Sequence, residues 1–184
     1  MKKYSKKFKL LYKKVKKIFD DAPGCHDWGH TLRVLHNART IAKKEKKANI
    51  LIVEMGALLH DISRPDEIHS SEKFCHAEHG SVKAAGILKS SGFNDTELVK
   101  RVTECVRKHR YRIKGNEKPV NIEEKIVYDA DKLDSIGAIG IGRAFHFAGK
   151  IGAKLHNTSN EALSSDSYSR EDTAYREYLV KLRK

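Results

Sequence analysis

The sequence has no apolar run approaching the roughly 18 residues that a bilayer-spanning helix requires, and its first residues lack the hydrophobic stretch of a secretory leader. Both absences point to a cytoplasmic protein. Cysteine is scarce: Cys25, Cys75 and Cys105 are an odd number at wide spacing, without a C-x-x-C pair. That argues against a disulfide framework or a thiolate zinc site and fits a reducing compartment. With only 3 prolines in 184 residues, and no internal repeat, low-complexity stretch or linker, the chain reads as a single domain over residues 1–184.

Acid is missing from the first 19 residues, "MKKYSKKFKLLYKKVKKIF", which hold nine lysines, so most of the net charge of +13 resides in one segment. Tyr4, Phe8, Leu11, Val15 and Ile18 recur there at steps of three or four. This is the pattern of a basic amphipathic helix over residues 1–19, packed on the domain by its apolar stripe with the lysines solvated. The alternative is a polyanion-binding or membrane-surface helix. Charge confined to one helix gives no reason to expect an obligate nucleic-acid partner.

The rest of the chain repeats a helical period almost throughout. "TLRVLHNARTIAKKEKK", from Thr31, carries an apolar face and ends in lysines. "ANILIVEMGALLHDI" is more continuously apolar and reads as a central buried helix ending near His60 and Asp61. "RPDEIHSSEKFCH" reads as a polar connector opened by Pro65, and "AEHGSVKAAGILKSSGF" as a helix stopped at Gly92. "NDTELVKRVTECVRKHR" offers Asn94, Asp95 and Thr96 as N-caps, and a loop with Gly115 and Pro119 follows. "IEEKIVYDADKLDSIGAIGIGRAF" and "SREDTAYREYLVKLRK" complete an all-α bundle of six or seven expected helices.

Chemistry is sought where polar residues interrupt these apolar helices. His60 and Asp61 close the most hydrophobic segment, and Asp129, Asp131 and Asp134 interrupt "IVYDADKLDSIGAIGIG". A buried carboxylate costs several kcal/mol unless compensated, and a divalent cation compensates several at once. "HDWGHTLRV" adds His26, Asp27 and His30 at the start of another helix. Chance alone predicts roughly 0.6 His-Asp dipeptides for ten His and eleven Asp in 184 residues, so the two present carry weight only through their order and context.

That order, in "HDWGHTLRV", "GALLHDISRP", "HAEHG" and "DADKLDSIGAIGIGRAF", resembles the H…HD…D signature of the HD-domain metal-dependent phosphohydrolase superfamily, from about Asp20 to the C-terminus. The resemblance implies a single-domain HD helical bundle holding a divalent ion (Mn, Fe, Ni, Co, Zn or Mg). It makes His30, followed by Arg33-Val34, the first ligand, His60 and Asp61 the central pair, and Asp131 the last. Asp61 or Asp131 would orient the attacking water. His26 then falls outside the ligand set, ordering its turn or reaching substrate. Lys132, directly after Asp131, and His109, in "VRKHRYR", are candidates for contact with phosphate.

Arg64 stands three residues after Asp61, where some HD nucleotidases carry a glutamate, and this departure argues against a 5′-deoxyribonucleotidase. In relatives with two ions, a histidine four residues before a glycine binds the second; His76 with Gly80 has that spacing, His109 is its candidate companion, and His79 is the competing inward residue. His76 and His109 stand equally as groups that touch substrate or support the ligands. The resemblance thus implies a phosphohydrolase acting on a nucleotide or other small phosphate ester, including nucleoside triphosphate pyrophosphohydrolysis. The alternatives are a cyclic-nucleotide-type phosphodiesterase and a non-catalytic basic nucleic-acid- or membrane-binding protein with the same fold.

Overall fold

A computed structural model of the chain describes residues 5–20, 22, 24–69, 75–110 and 118–183. Residues 1–4 of the expected first helix, with Tyr4 of its apolar stripe, residues 70–74 of the expected connector and Gly115 of the expected loop lie outside them, as do the side chains of 67–69. Among the described residues every regular element is helical: α1 (Lys6–Phe19), α2 (Trp28–Ala42), α3 (Ile50–Leu59), α4 (Arg64–His69), α5 (His76–Ser90), α6 (Thr96–Arg107), α7 (Ile122–Leu133), α8 (Gly137–Lys150), α9 (Ser159–Ser164) and α10 (Ala174–Glu177), continued by a π-helical turn (Tyr178–Leu182). α1, α2, α3, α5 and α6 correspond to helices expected, and the expected C-terminal helix holds the short α10 and the π-helical turn. The short α4 lies where a connector was anticipated, and the segment read as one helix from Ile122 is broken after Leu133, with Gly137 at φ 67° restarting the chain in a conformation that favours glycine.

The described residues gather into two compact units, one ending at Asp131 and the other beginning at Lys132. In the first, α3 is apolar except for Glu54, whose carboxylate accepts from Arg39 at 2.8 Å, and is accordingly the buried axis, with Ile52 to Leu59 all buried. α2 and α6 pack against it, and α5 lies on α6. Gly56 permits the closest of these approaches, since a Cβ there would meet Cys105 Cβ at 2.9 Å and Val127 Cγ2 at 3.1 Å. Leu11, Val15, Leu35, Met55, Leu58 and Leu88 fill the core. Each such side chain contributes about 1.5–3 kcal/mol by leaving water.

The lysine-rich helix is part of this core. Phe8, Leu11, Val15 and Phe19 are buried, so the apolar stripe of α1 is consumed by packing and the lysines take the outer face. Ser5 caps its start, accepting from the Phe8 amide. Among the described residues no helix is long and apolar enough to cross a membrane. All three cysteines are free thiols. Burial pushes the Cys105 thiol far up, keeping it protonated.

The second unit packs α8 and α9 against α10 and the π-helical turn. Its polar centre is Arg176, which donates to Asp172 at 3.0 Å and to the Ser165 carbonyl at 2.8 Å, beside a buried Thr173–Asn157 hydrogen bond.

Candidate metal centre

The geometry is set by how α3 ends. Asn49 caps its first turn by accepting from the Leu51 and Ile52 amides, and ten residues later the helix delivers His60 as its C-cap and Asp61 in the turn beyond. His60 is fully buried, and its Nδ1 lies 2.8 Å from the Ala57 carbonyl oxygen. A carbonyl only accepts, so Nδ1 carries the proton and the lone pair of the neutral ring is on Nε2. That nitrogen lies 3.2 Å from His30 Nε2, 3.5 Å from Asp61 Oδ2 and 3.9 Å from Asp131 Oδ1.

His30 reaches the same point from the first turn of α2. Asp27 is the N-cap and accepts from the His30 amide at 2.7 Å, which anchors the residue that carries the imidazole. Gly29 makes room for that cap, since a Cβ there would sit 3.2 Å from Asp27 Oδ1. His30 Nε2 then lies 3.6 Å from Asp61 Oδ2 and 3.5 Å from Asp131 Oδ1. Asp131 arrives on α7, which is clasped to α2 by Asn37 donating to the Ala130 carbonyl at 3.2 Å. The four residues of the expected ligand set are thus brought together by three helices distant in sequence.

Burial pushes the His60 imidazole down to about 4, outweighing the pull of Asp61 and Asp131 toward the charged form. Burial alone would raise Asp61, but the imidazoles of His60, His109 and His30 packed around it hold it well below the usual carboxylate range. At neutral pH the centre therefore combines a neutral imidazole with an ionised, buried carboxylate. Nε2 atoms and carboxylate oxygens converging within 4 Å form an N/O donor set whose charge and lone pairs a divalent cation satisfies. His30, His60 and Asp61 form one group compact enough to hold an ion.

Asp61 turns its other oxygen toward a second pair. Oδ1 lies 3.3 Å from His109 Nε2 and 3.5 Å from His76 Nε2. His109, just beyond α6, repeats the device of His60, with Nδ1 2.6 Å from the Val106 carbonyl. Arg64 approaches from the start of α4, its Nη1 3.1 Å from His76 Nδ1. His76 is buried and His79 exposed, which decides which histidine of "HAEHG" faces inward. His26 packs edge-on against His30 with ring centroids 5.6 Å apart, and its Nδ1 lies 3.2 Å from Cys25 Sγ. Lys132 is half-buried in the last turn of α7 and belongs to the second unit. Of the neighbouring aspartates, Asp129 is exposed and Asp134 is buried against Arg143 at 2.8 Å. Residue types did not reveal the carbonyls of Ala57 and Val106, because a backbone group leaves no signature in the sequence.

A family model described as HD domain matches residues 27–136, more than half of the chain. The chain belongs to the HD-domain family. The uncharacterised protein YpgQ of Bacillus subtilis is 37% identical over 153 residues, covering 80% of this chain and 69% of YpgQ. A crystal structure of a predicted HD superfamily hydrolase from an uncultured Thermotogales bacterium superposes with a TM-score of 0.62 at 32% identity, covering 94% of this chain and 87% of that one. YpgQ in complex with ADP superposes with a TM-score of 0.67 at 28% identity, covering 97% and 79%. This HD-domain chain is a metal-dependent hydrolase with an all-α fold.

Proposed function

We propose that this HD-domain protein is a phosphohydrolase of nucleotides, cleaving a nucleoside triphosphate or a related small phosphate ester, with His30, His60, Asp61 and Asp131 holding its divalent ion. The observation that carries this reading is the convergence of two imidazole Nε2 atoms with Asp61 Oδ2 and Asp131 Oδ1. The complex of Bacillus subtilis YpgQ with ADP supports a nucleotide as the ligand class.

When bound, a divalent ion supplies Lewis acidity, lowering the pKa of water and offsetting charge that develops on phosphoryl oxygens. Asp61 or Asp131 is the carboxylate that would orient the attacking water. Asp61 is fixed between imidazoles, whereas Asp131 retains 14% side-chain exposure and faces the more accessible side. Asp27 and Gly29 hold the turn that presents His30, with His26 bracing the ring. The cation and histidines beside Asp61, namely Arg64, His76 and His109, suit a polyanionic substrate.

The test is product analysis with the purified protein and added Mn or Mg, using nucleoside triphosphates, diphosphates and monophosphates beside a cyclic nucleotide. Metal-dependent formation of monophosphate and pyrophosphate from a triphosphate is expected. Hydrolysis of the cyclic nucleotide alone, or of none of the panel, overturns the reading.

A further inference from the structure

Asp61 stands between two groups of donors that distance alone does not distinguish. His30 and His60 flank Oδ2, His76 and His109 flank Oδ1, and in both groups the potential ligand atoms lie within 4.8 Å of one another. A second ion would be as easily accommodated as the first if all the nitrogens presented lone pairs. Which nitrogen of each ring carries the proton decides the matter.

For His60 and His109 the answer is the same. Each places Nδ1 against the carbonyl three residues earlier, at 2.8 Å and 2.6 Å, so Nδ1–H donates and the neutral ring keeps its Nε2 lone pair for the centre. His76 is arranged the opposite way. Its Nδ1 lies 3.1 Å from Arg64 Nη1, and a guanidinium has donors only. Nδ1 must accept, and the single proton of the neutral ring is displaced to Nε2, the atom 3.5 Å from Asp61 Oδ1. An N–H donor hydrogen-bonds the carboxylate and cannot bind a metal. The guanidinium also fixes one positive charge against this group, which disfavours a second dication.

We propose that Arg64 is a positioning residue that limits this centre to one ion, by forcing the His76 proton onto Nε2 and so removing His76 from the ligands of a second site. The inference rests on the proposed ion at His30, His60, Asp61 and Asp131. It makes the arginine three residues after Asp61 a determinant of metal number.

The experiment reads metal equivalents by elemental analysis after dialysis against excess Mn and then metal-free buffer, with electron paramagnetic resonance to detect coupled Mn pairs. The unmodified protein should hold one equivalent. Arg64→Ala should rise to two with a coupled-pair spectrum, and Arg64→Ala/His76→Ala should return to one. Nitrogen-15 NMR of the Zn-loaded unmodified protein gives a second readout that needs no variant to fold, and it should place the His76 proton on Nε2. One equivalent in Arg64→Ala, or a His76 proton on Nδ1, overturns the proposal. Two equivalents in the unmodified protein overturn the role of Arg64 while leaving the nucleotide phosphohydrolase reading intact. Zero equivalents overturn the metal centre itself and the proposal with it.

Discussion

The Nδ1 of His60 lies 2.8 Å from the carbonyl oxygen of Ala57, one helical turn earlier. This hydrogen bond joins fold to chemistry. It satisfies a carbonyl at the end of α3 that has no intrahelical partner, and it fixes the tautomer that directs an unprotonated Nε2 at Asp61 and Asp131. The helix terminus and the ligand are one structural unit.

Replacing His60 or Asp61 by Ala removes a ligand and leaves its buried neighbours uncompensated. Loss of metal retention and of turnover is expected, with the unmodified protein retaining its ion through the same desalting. His26→Ala should retain the ion and lose roughly 10- to 100-fold in activity, as for removal of a group that supports a ligand. Equal metal loss in His26→Ala would show that His26 is a ligand.

The depressed His60 value has a consequence for the metal-free protein. Its folded value is about 4 against 6.5, so between those limits the unfolded chain binds more protons. Stability is therefore full above pH 6.5 and falls as pH drops toward 4, by about 3 kcal/mol in all for this fully buried group. Asp61, also depressed, adds loss in the same direction below the ordinary carboxylate range. Urea denaturation of chelator-treated protein at pH 7, 6, 5 and 4 should show the midpoint decreasing through this window; a constant midpoint would contradict a neutral buried His60.

Gly56→Ala tests the close approach of α3 to its neighbours. The added methyl meets Cys105 Cβ at 2.9 Å, and such overpacking costs about 1–3 kcal/mol. A fall in Tm of about 2–12 °C by calorimetry is expected, at roughly 2–4 °C per kcal/mol for a chain of this size. An unchanged Tm would mean that α3 shifts without resistance.

The exposed lysines of α1 should be neutral for chemistry. Replacing Lys6, Lys13 and Lys17 by Gln leaves the buried stripe of Phe8, Leu11, Val15 and Phe19 untouched. Turnover of a small nucleotide should stay within about twofold, with any effect confined to salt dependence. Leu11→Ala should instead lower stability by about 2–5 kcal/mol, because Leu11 is fully buried in the core.

Much of this molecule is legible from residue types. Hydrophobic period locates α1, α3 and α6, and among the three cap candidates before α6 the structure selects Asp95, which accepts from the Glu97 and Leu98 amides. His30, His60, Asp61 and Asp131 stand out because charged residues inside apolar helices need compensation. Other features depend on contacts between distant segments. The start of α2 at Trp28 depends on Asp27 serving as its cap, and the break after Leu133 on a backbone turn that the apolar run of "SIGAIGIG" conceals. The choice of His76 over His79 follows from which face of α5 meets the core, and the proton position on His76 from Arg64, twelve residues away.

An anomalous difference map from crystals grown with Mn or Zn shows which residues hold the ion. One peak is expected, about 2 Å from His30 Nε2, His60 Nε2, Asp61 Oδ2 and Asp131 Oδ1, the distance usual for nitrogen and carboxylate ligands. A peak bound instead by His76 and His109, without His30 and Asp131, would contradict that ligand set.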